Sequence, residues 1–305
     1  MPKKFFVRGL IPAVFTPMKD DGTINLERIG PLVDHLAANH PAAFFICGSA
    51  GEGVSLTLAE RKVLAKEFIQ SAAGRAPVIV QVGHTSLLEA RDLAADAAKA
   101  GADAICAILP SYFHPANTTD LVESLAIIAS GAPDLPFYYY HIPALVDHRI
   151  NTRELLIQAK DKLPSLVGIK YSTSQVFEII SLKDQFKDEY NILFGVDEML
   201  FSGLVGNADG AVGSTYNWLL PLANQIVKAY HSGDIHQAEK LQVKQTELIR
   251  IVNDAGGLGA NKRVMALIGQ DCGPVRLPLH RLSTERFAQM ESDLRQAGFF
   301  DWIHA

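Results

Sequence analysis

The sequence predicts a (β/α)8 barrel with a C-terminal helical extension, on three observations. Eight short apolar, β-prone runs recur between positions 10 and 215, alternating with segments that carry apolar residues every three or four positions. The runs are almost continuously apolar, as expected of parallel strands covered on both faces. The length, 305 residues, suits one such barrel, because α/β barrels commonly exceed roughly 200 residues as a single unit.

The strand runs, in order, are LIPAVFT (10–16), AAFFICG (42–48), PVIVQVG (77–83), DAICAIL (103–109), LPFYYYHI (135–142), LVGIKYS (166–172), NILFGV (191–196) and DGAVGST (209–215). Helical spacing marks 26–38, 58–73, 87–100, 121–130, 152–161 and 176–186. Thr57 with Glu60, and Asn151 with Glu154, have the spacing of capping boxes at two helix starts. Gly74 and Gly101 follow the ends of the second and third helices, where a left-handed residue often closes a helix. Strands alternating with helices imply parallel strands joined by crossovers. An open doubly wound sheet is the runner-up, but it would want a phosphate fingerprint after its first strand. After Trp218 the strand signal stops, and 218–252 and 284–297 read as further helices. The expected division is therefore 1–217 for the barrel and 218–305 for the extension packed on it.

Composition narrows the function classes. The net charge is −5, from 28 basic against 33 acidic side chains, with no long basic stretch, so nucleic acid is not an expected partner. No run approaches the 18 or so apolar residues of a membrane span, so no membrane partner is expected either. Arg8, Gly9 and Pro12 interrupt the apolar N-terminus before it can form a signal-peptide core. Three widely spaced cysteines, Cys47, Cys106 and Cys272, do not form a disulfide framework and suit reduced thiols in a cytoplasmic protein.

Two glycine-rich motifs fail their tests. Gly48 and Gly53 have phosphate-loop spacing, but Val54 stands where lysine is required. GGLGANK (256–262) resembles half a dinucleotide fingerprint but follows a helix and opens no βαβ unit. There is no HExxH and no cysteine pair with zinc spacing, so no metal is expected. His231 and His236 fall on a polar helical stretch, where a solvated face accounts for them.

Barrel active sites lie at the C-terminal ends of the strands. The polar groups there are Thr16, Ser49, Tyr112, Tyr140, His141, Lys170, Ser172, Asp197, Glu198, Ser214 and Thr215. Lys170 stands out, because it lies inside a strand that should be buried, and lysine is almost never buried without a partner. A lysine snorkelling from a strand end is the structural alternative. An amine in apolar surroundings, able to shed its proton and attack a carbonyl, is the functional one. The resulting imine acidifies the adjacent carbon and permits reversible C–C cleavage with no cofactor or metal. Such chemistry needs a proton shuttle, and Tyr140 ends the strand before that of Lys170. Alternation puts Tyr138 and Tyr140 on one face and Tyr139 on the other; Tyr138 and Tyr139 read as core. A keto acid's carboxylate would be held by Ser49 and the N–H groups of the glycine-rich turn, including that of Ala50.

CGSAGEGVSLTLAER (47–61), FYYYHIPAL (137–145), GIKYS (168–172), LFGVDE (193–198) and GAVGSTYN (210–217) resemble, in this order, the motifs of the N-acetylneuraminate lyase / dihydrodipicolinate synthase superfamily of imine-forming aldolases. The similarity runs from about Gly9 to about Leu279, and YYYHIPAL, FGVDE and GAVGSTYN look most like the lyases, especially those of animal type. The resemblance implies a lyase that splits N-acetylneuraminate into N-acetylmannosamine and pyruvate through an imine on Lys170. It gives Tyr140 the proton shuttle and Ser49 the carboxylate. It places Ser172, Gly195, Asp197, Glu198 and Ser214 on the sugar's hydroxyls, and implies a homotetramer in which Tyr112 reaches a neighbour's site. Two positions depart from the pattern. Ala50 replaces a second threonine and loses one hydroxyl donor, on the order of 1 kcal/mol. Leu145 replaces the arginine by which the synthases receive a second carboxylate, which argues against a synthase. Leu258, placed near the sugar pocket by the resemblance, is aliphatic and uninformative. The alternatives are an aldolase or dehydratase of the same superfamily acting on another 2-keto acid, such as 2-keto-3-deoxygluconate, or a non-catalytic barrel that binds a keto acid or sialic acid. A phosphate-binding barrel isomerase is a weaker one, with GAVGST as its only candidate loop.

Overall fold

The computed structural model describes residues 5–146 and 150–303. Eight strands, β1 (Gly9–Pro12), β2 (Phe44–Ile46), β3 (Val78–Gln81), β4 (Ala104–Ala107), β5 (Phe137–His141), β6 (Leu166–Tyr171), β7 (Asn191–Phe194) and β8 (Gly210–Gly213), form one parallel sheet in the order β1-β8-β7-β6-β5-β4-β3-β2. The ends of this sheet meet: Ala42 N donates to Leu10 O and Val14 N to Phe45 O, both at 2.8 Å, and Ala13 bridges Phe45 in parallel. The fold is thus a (β/α)8 barrel, as its sequence pattern predicts.

Each strand is shorter than its apolar run. The run continues past the last ladder bond because its final residues, such as Cys47, Val82 and Leu109, stay buried while the chain turns into a loop over the barrel mouth. The crossover helices are α1 (Ile29–Ala38), α2 (Leu58–Ala72), α3 (Leu87–Ala100), α4 (Thr118–Ala129), α5 (Thr152–Lys162), α6 (Val176–Phe186) and α7 (Leu200–Val205). After β8 come α8 (Leu220–His231), the long α9 (Ile235–Arg263) and α10 (Thr284–Gln296); α8 packs on α7, β1 and α9.

Thr57 and Glu60 form the full reciprocal box at the start of α2. Asn151 caps α5 by accepting from Glu154 N, but the Glu154 carboxylate turns away to Thr118 and Gln158, so the box is one-sided. Gly101 closes α3 in the left-handed region as expected, whereas at α2 Ala73 takes that conformation (φ 47°) and Gly74 follows it. α4 begins three residues before its apolar periodicity, because Asn117 caps it by accepting from Asp120 N.

Alternation along β5 is as predicted. The Tyr138 hydroxyl donates to Asn191 Oδ1 at 2.7 Å, inside the barrel, while Tyr139 meets His141 Nδ1 at 3.3 Å. His141 stacks on Tyr171, with centroids 5.1 Å apart, so it faces the helices and not the mouth. The β5–β6 register pairs Tyr140 with Lys170, and the β6–β7 register pairs Lys170 with Leu193. These pairings bring the two residues singled out for imine chemistry side by side.

Candidate active site

A cavity of about 710 Å³ opens at the C-terminal ends of the strands, within the range of small-molecule sites. Lys170 lies at its base, 5% exposed. Its ammonium stands 4.0 Å from the Tyr140 ring centroid and 4.1 Å from that of Phe45. These two rings meet edge to face, 5.9 Å apart, so the amine is held between aromatic surfaces contributed by β5 and β2. No carboxylate forms an ion pair with Lys170 among the described residues. A nucleophilic amine is favoured by such surroundings: buried against aromatic rings and not tied to a counterion.

The loop after β2 faces Lys170 across the cavity. Ser49 and Ala50 line it. Glu52 N donates to Ser49 O and Gly53 N to Gly48 O, which folds the loop into a tight turn. The N–H groups of Ser49, Ala50 and Gly51 donate to no described residue, which leaves successive donors for an anion. Thr16 Oγ1 donates to Gly51 O at 2.6 Å and props the turn from below instead of lining the cavity. Cys47 and Glu52, at either end of the turn, both have positive φ (58° and 55°), a strained geometry for side-chain-bearing residues.

What holds Glu52 in that conformation is a contact the sequence does not announce. Its carboxylate meets Lys262 of α9 at 2.7 Å, with both side chains fully buried, and its second oxygen accepts from Arg276 N at 2.8 Å. Lys262 also donates to Pro274 O at 2.7 Å. Burial pushes the Lys262 ammonium below its ordinary range, against the pull of Glu52. The C-terminal extension therefore anchors the turn from behind.

Acids occupy the opposite wall. Asp197, just past β7, is 6% exposed, and its Oδ2 accepts from Thr215 N at 2.9 Å and Thr215 Oγ1 at 2.7 Å. Gly213 makes room for it: a Cβ there would stand 1.9 Å from Asp197 Oδ1. Burial pushes the Asp197 carboxyl up to about 6, against the Thr215 hydrogen bonds, with the Glu198 charge adding to the rise and Lys170 opposing it. From its ordinary 3.8 to about 6, the folded protein keeps a proton that the unfolded chain has released, so stability from this group grows as pH falls through that window. Above it the buried charge is unfavourable. Asp197→Asn preserves an acceptor for Thr215, so it is expected to melt higher than the parent protein at about pH 8 and alongside it below about pH 4. Thermal unfolding at the two pH values checks this; a lower melting point at the higher pH would contradict it.

Of the residues expected from sequence, Lys170, Tyr140, Ser49, Ala50, Gly195, Asp197, Glu198 and Ser214 line one cavity, as do Leu145 and Leu258. Ser172 and Tyr112 do not. Ser172 is buried behind Gly195 and its hydroxyl finds no partner. Tyr112 is 78% exposed and packs edge to face on the equally exposed Phe113. The lining also includes residues that sequence reasoning does not single out for the sugar or the keto acid: Glu52, His84, Thr215, Asn253 and Asn261. Glu52 stands inside the glycine-rich motif, but Asn253 and Asn261 carry no local signal. Among the described residues, no group of three or more His, Cys, Asp or Glu is placed to hold a metal ion.

A buried lysine beside a tyrosine, facing a turn with unpaired N–H groups at the mouth of a (β/α)8 barrel, points to the class of barrel lyases. Comparison with known proteins makes the assignment particular. The model of the dihydrodipicolinate synthetase family matches residues 6–297, and the chain belongs to that family. Among curated relatives, N-acetylneuraminate lyase of Rattus norvegicus is 39% identical over 306 residues, covering 99% of this chain and 95% of the relative. N-acetylneuraminate lyase A of Xenopus laevis is 42% identical over 278 residues, covering 90% and 91%. Among solved structures, N-acetylneuraminate lyase of Proteus mirabilis superposes with a TM-score of 0.93 at 32% identity, over 97% of this chain and 100% of that one. The sialic acid aldolase of Aliivibrio salmonicida gives 0.93 at 34%, over 99% and 100%.

Proposed function

We propose that the chain cleaves N-acetylneuraminate reversibly to N-acetylmannosamine and pyruvate, through an imine on Lys170. The observation that carries the reading is the position of the Lys170 amine: buried, between the Tyr140 and Phe45 rings, and across the cavity from the free N–H groups of the Ser49–Gly51 turn. The names and extent of the curated relatives support the sugar.

In this mechanism the Ser49 hydroxyl and the Ala50 N–H hold the carboxylate of the open-chain sugar acid. The Lys170 amine adds to C2, loss of water leaves an imine, and the imine nitrogen takes the Tyr140 hydroxyl proton, so that Tyr140 stands as a phenolate. Tyr140 takes the proton of the C4 hydroxyl while the C3–C4 bond breaks. Its electron pair passes into the imine as an enamine, and N-acetylmannosamine leaves as the aldehyde. Protonation of the enamine at C3 and addition of water to C2 release pyruvate and restore the amine. No separate cofactor enters any step. Asp197, Glu198 and Ser214 accept from and donate to the sugar's hydroxyls, and Ser172 supports Gly195 from behind. Leu145, at the cavity wall, offers no charge to a second carboxylate, which favours this reading over a synthase.

The deciding experiment is incubation with pyruvate and borohydride, followed by intact mass and peptide mapping. The expected result is one reduced pyruvate adduct, on Lys170, absent from Lys170→Ala, together with release of N-acetylmannosamine from N-acetylneuraminate by the parent protein alone. Binding without an adduct or turnover would favour a keto-acid-binding barrel.

Assembly and location follow as proposals. Tyr112 and Phe113 expose two aromatic rings beside the mouth, and we assign them to the contact between copies in a cytoplasmic homotetramer. No described helix is long and apolar enough to cross a membrane, and all three cysteines are buried and unpaired. Sedimentation equilibrium is expected to show tetramers, and replacing both Tyr112 and Phe113 by Ser is expected to shift the population to smaller species.

A further inference from the structure

The C-terminal extension reaches the mouth through a break in α9. Gly256 and Gly257 have φ/ψ of 169°/30° and 56°/−130°, and the second is a conformation open to glycine and to almost no other residue. Asn253 stands just before the break, and Leu258 and Asn261 just after it; all three line the cavity. Asn261 is 5% exposed. Its Nδ2 donates to Asn253 Oδ1 at 2.8 Å and to Gly257 O at 3.0 Å. Both partners are acceptors, so the orientation of the amide is fixed, and its Oδ1 is left buried without a donor. Asn253 in turn donates from Nδ2 to Glu198 Oε1 at 3.2 Å, and no described residue donates to Glu198 Oε2.

These groups are graded in depth. Lys170 and Asp197 are buried at the base, Glu198 is half-buried, and Asn253 is exposed at the rim. Asn253 and Glu198 therefore flank the outer part of the cavity, and Asn261, as buried as Lys170, supports Asn253 from within. Asn261 Oδ1 is itself shut off from solvent, so the acceptor presented to a ligand is Glu198 Oε2, to which no described residue donates. A carboxylate or an apolar group would not satisfy it; a hydroxyl or an amide N–H would.

We infer that Asn253 and Asn261 are specificity-determining residues for the non-reacting, hydroxyl-bearing end of the substrate. Asn253 positions the Glu198 carboxylate, and Asn261, by donating to Asn253 Oδ1, fixes the orientation of that amide. This rests on the lyase reading above. It adds that the extension, and not the barrel alone, selects the sugar.

The test is steady-state kinetics in the direction of synthesis, with pyruvate and N-acetylmannosamine varied separately, on Asn261→Leu, Asn253→Ala and Asn253→Gln. Asn253→Ala removes a group from an exposed position, so it reports even if the buried Asn261→Leu variant folds poorly. The expected result is a rise of about tenfold in the KM for N-acetylmannosamine in Asn253→Ala, the loss of one hydrogen bond to a charged group, with partial recovery in Asn253→Gln. The pyruvate KM and kcat are expected to stay within about twofold, because a structural defect would move them as well. An unchanged N-acetylmannosamine KM, or a pyruvate KM or kcat that moves in step with it, overturns the inference. Failure of the parent protein itself to couple the two substrates would instead overturn the lyase reading, so the two failures are distinct.

Discussion

Tyr140→Phe is expected to lower kcat for cleavage by about 10²–10⁴-fold, the usual range for loss of a positioned acid–base group. Pyruvate should still be trapped on Lys170. The two effects separate because the Tyr140 side chain has two jobs in the proposed mechanism. Its ring forms one of the aromatic surfaces around the Lys170 ammonium, 4.0 Å away, and meets Phe45 edge to face. Phenylalanine keeps that ring, so the amine should remain in place and still condense with a keto acid. Its hydroxyl is the group that accepts and returns the C4 proton, and phenylalanine lacks it. The KM for the sugar acid should change little, since the proton moves only in the transition state. The measurement pairs borohydride trapping with single-turnover cleavage. A fall in kcat of less than about tenfold would remove Tyr140 from proton transfer and assign that role to another group. Loss of trapping in step with turnover would make Tyr140 a packing residue for Lys170.

The parts of this arrangement that are legible in the sequence share a physical basis. The eight strands are legible because each is buried on both faces, which writes a continuous apolar run into the chain. Lys170 is legible because a cation interrupts one of those runs. Alternation along three consecutive tyrosines then places Tyr140 beside it and turns Tyr139 away. Helix α7 is not legible: it has six residues, too few for a periodicity to appear, and no side-chain cap at its start. His141 closes its strand as Tyr140 does but faces the helices, because residues one apart on a strand point to opposite sides.

Most of the unread site lies in contacts between distant segments. Asn253 and Asn261 reach the mouth only because α9 breaks at Gly256 and Gly257, and a double glycine inside polar sequence looks like a loop. Glu52 and Lys262 are 210 positions apart. Each sits in a glycine-rich stretch that mimics part of a nucleotide-binding loop, and neither neighbourhood reveals that the two charges meet. Tyr112 differs again. A single chain leaves it at the surface, outside the cavity.

Lys262→Met is expected to destabilise the protein by about 3–5 kcal/mol, the range for removing one partner of a buried ion pair. Methionine fills much the same space, so the loss is electrostatic. It leaves the Glu52 carboxylate fully buried, with the Arg276 N–H as its remaining donor. For a chain of this size that corresponds to a fall in Tm of roughly 5–10 °C. The functional consequence is specific to the turn that Glu52 terminates. Glu52 holds a positive φ that a free carboxylate, drawn toward solvent, has reason to abandon, and the N–H groups of Ser49, Ala50 and Gly51 depend on that turn for their alignment. The pyruvate KM should therefore rise along with the loss of stability. The double variant Glu52→Gln/Lys262→Met separates the two effects, because removing both charges leaves no unpaired ion. It is expected to recover most of the stability, measured by thermal unfolding. It should recover pyruvate binding only so far as a neutral side chain can keep the hydrogen bond from Arg276 N. If the double variant were no more stable than Lys262→Met, the ammonium would matter for its bond to Pro274 O and not for its charge on Glu52. The extension would then brace the barrel without governing the turn.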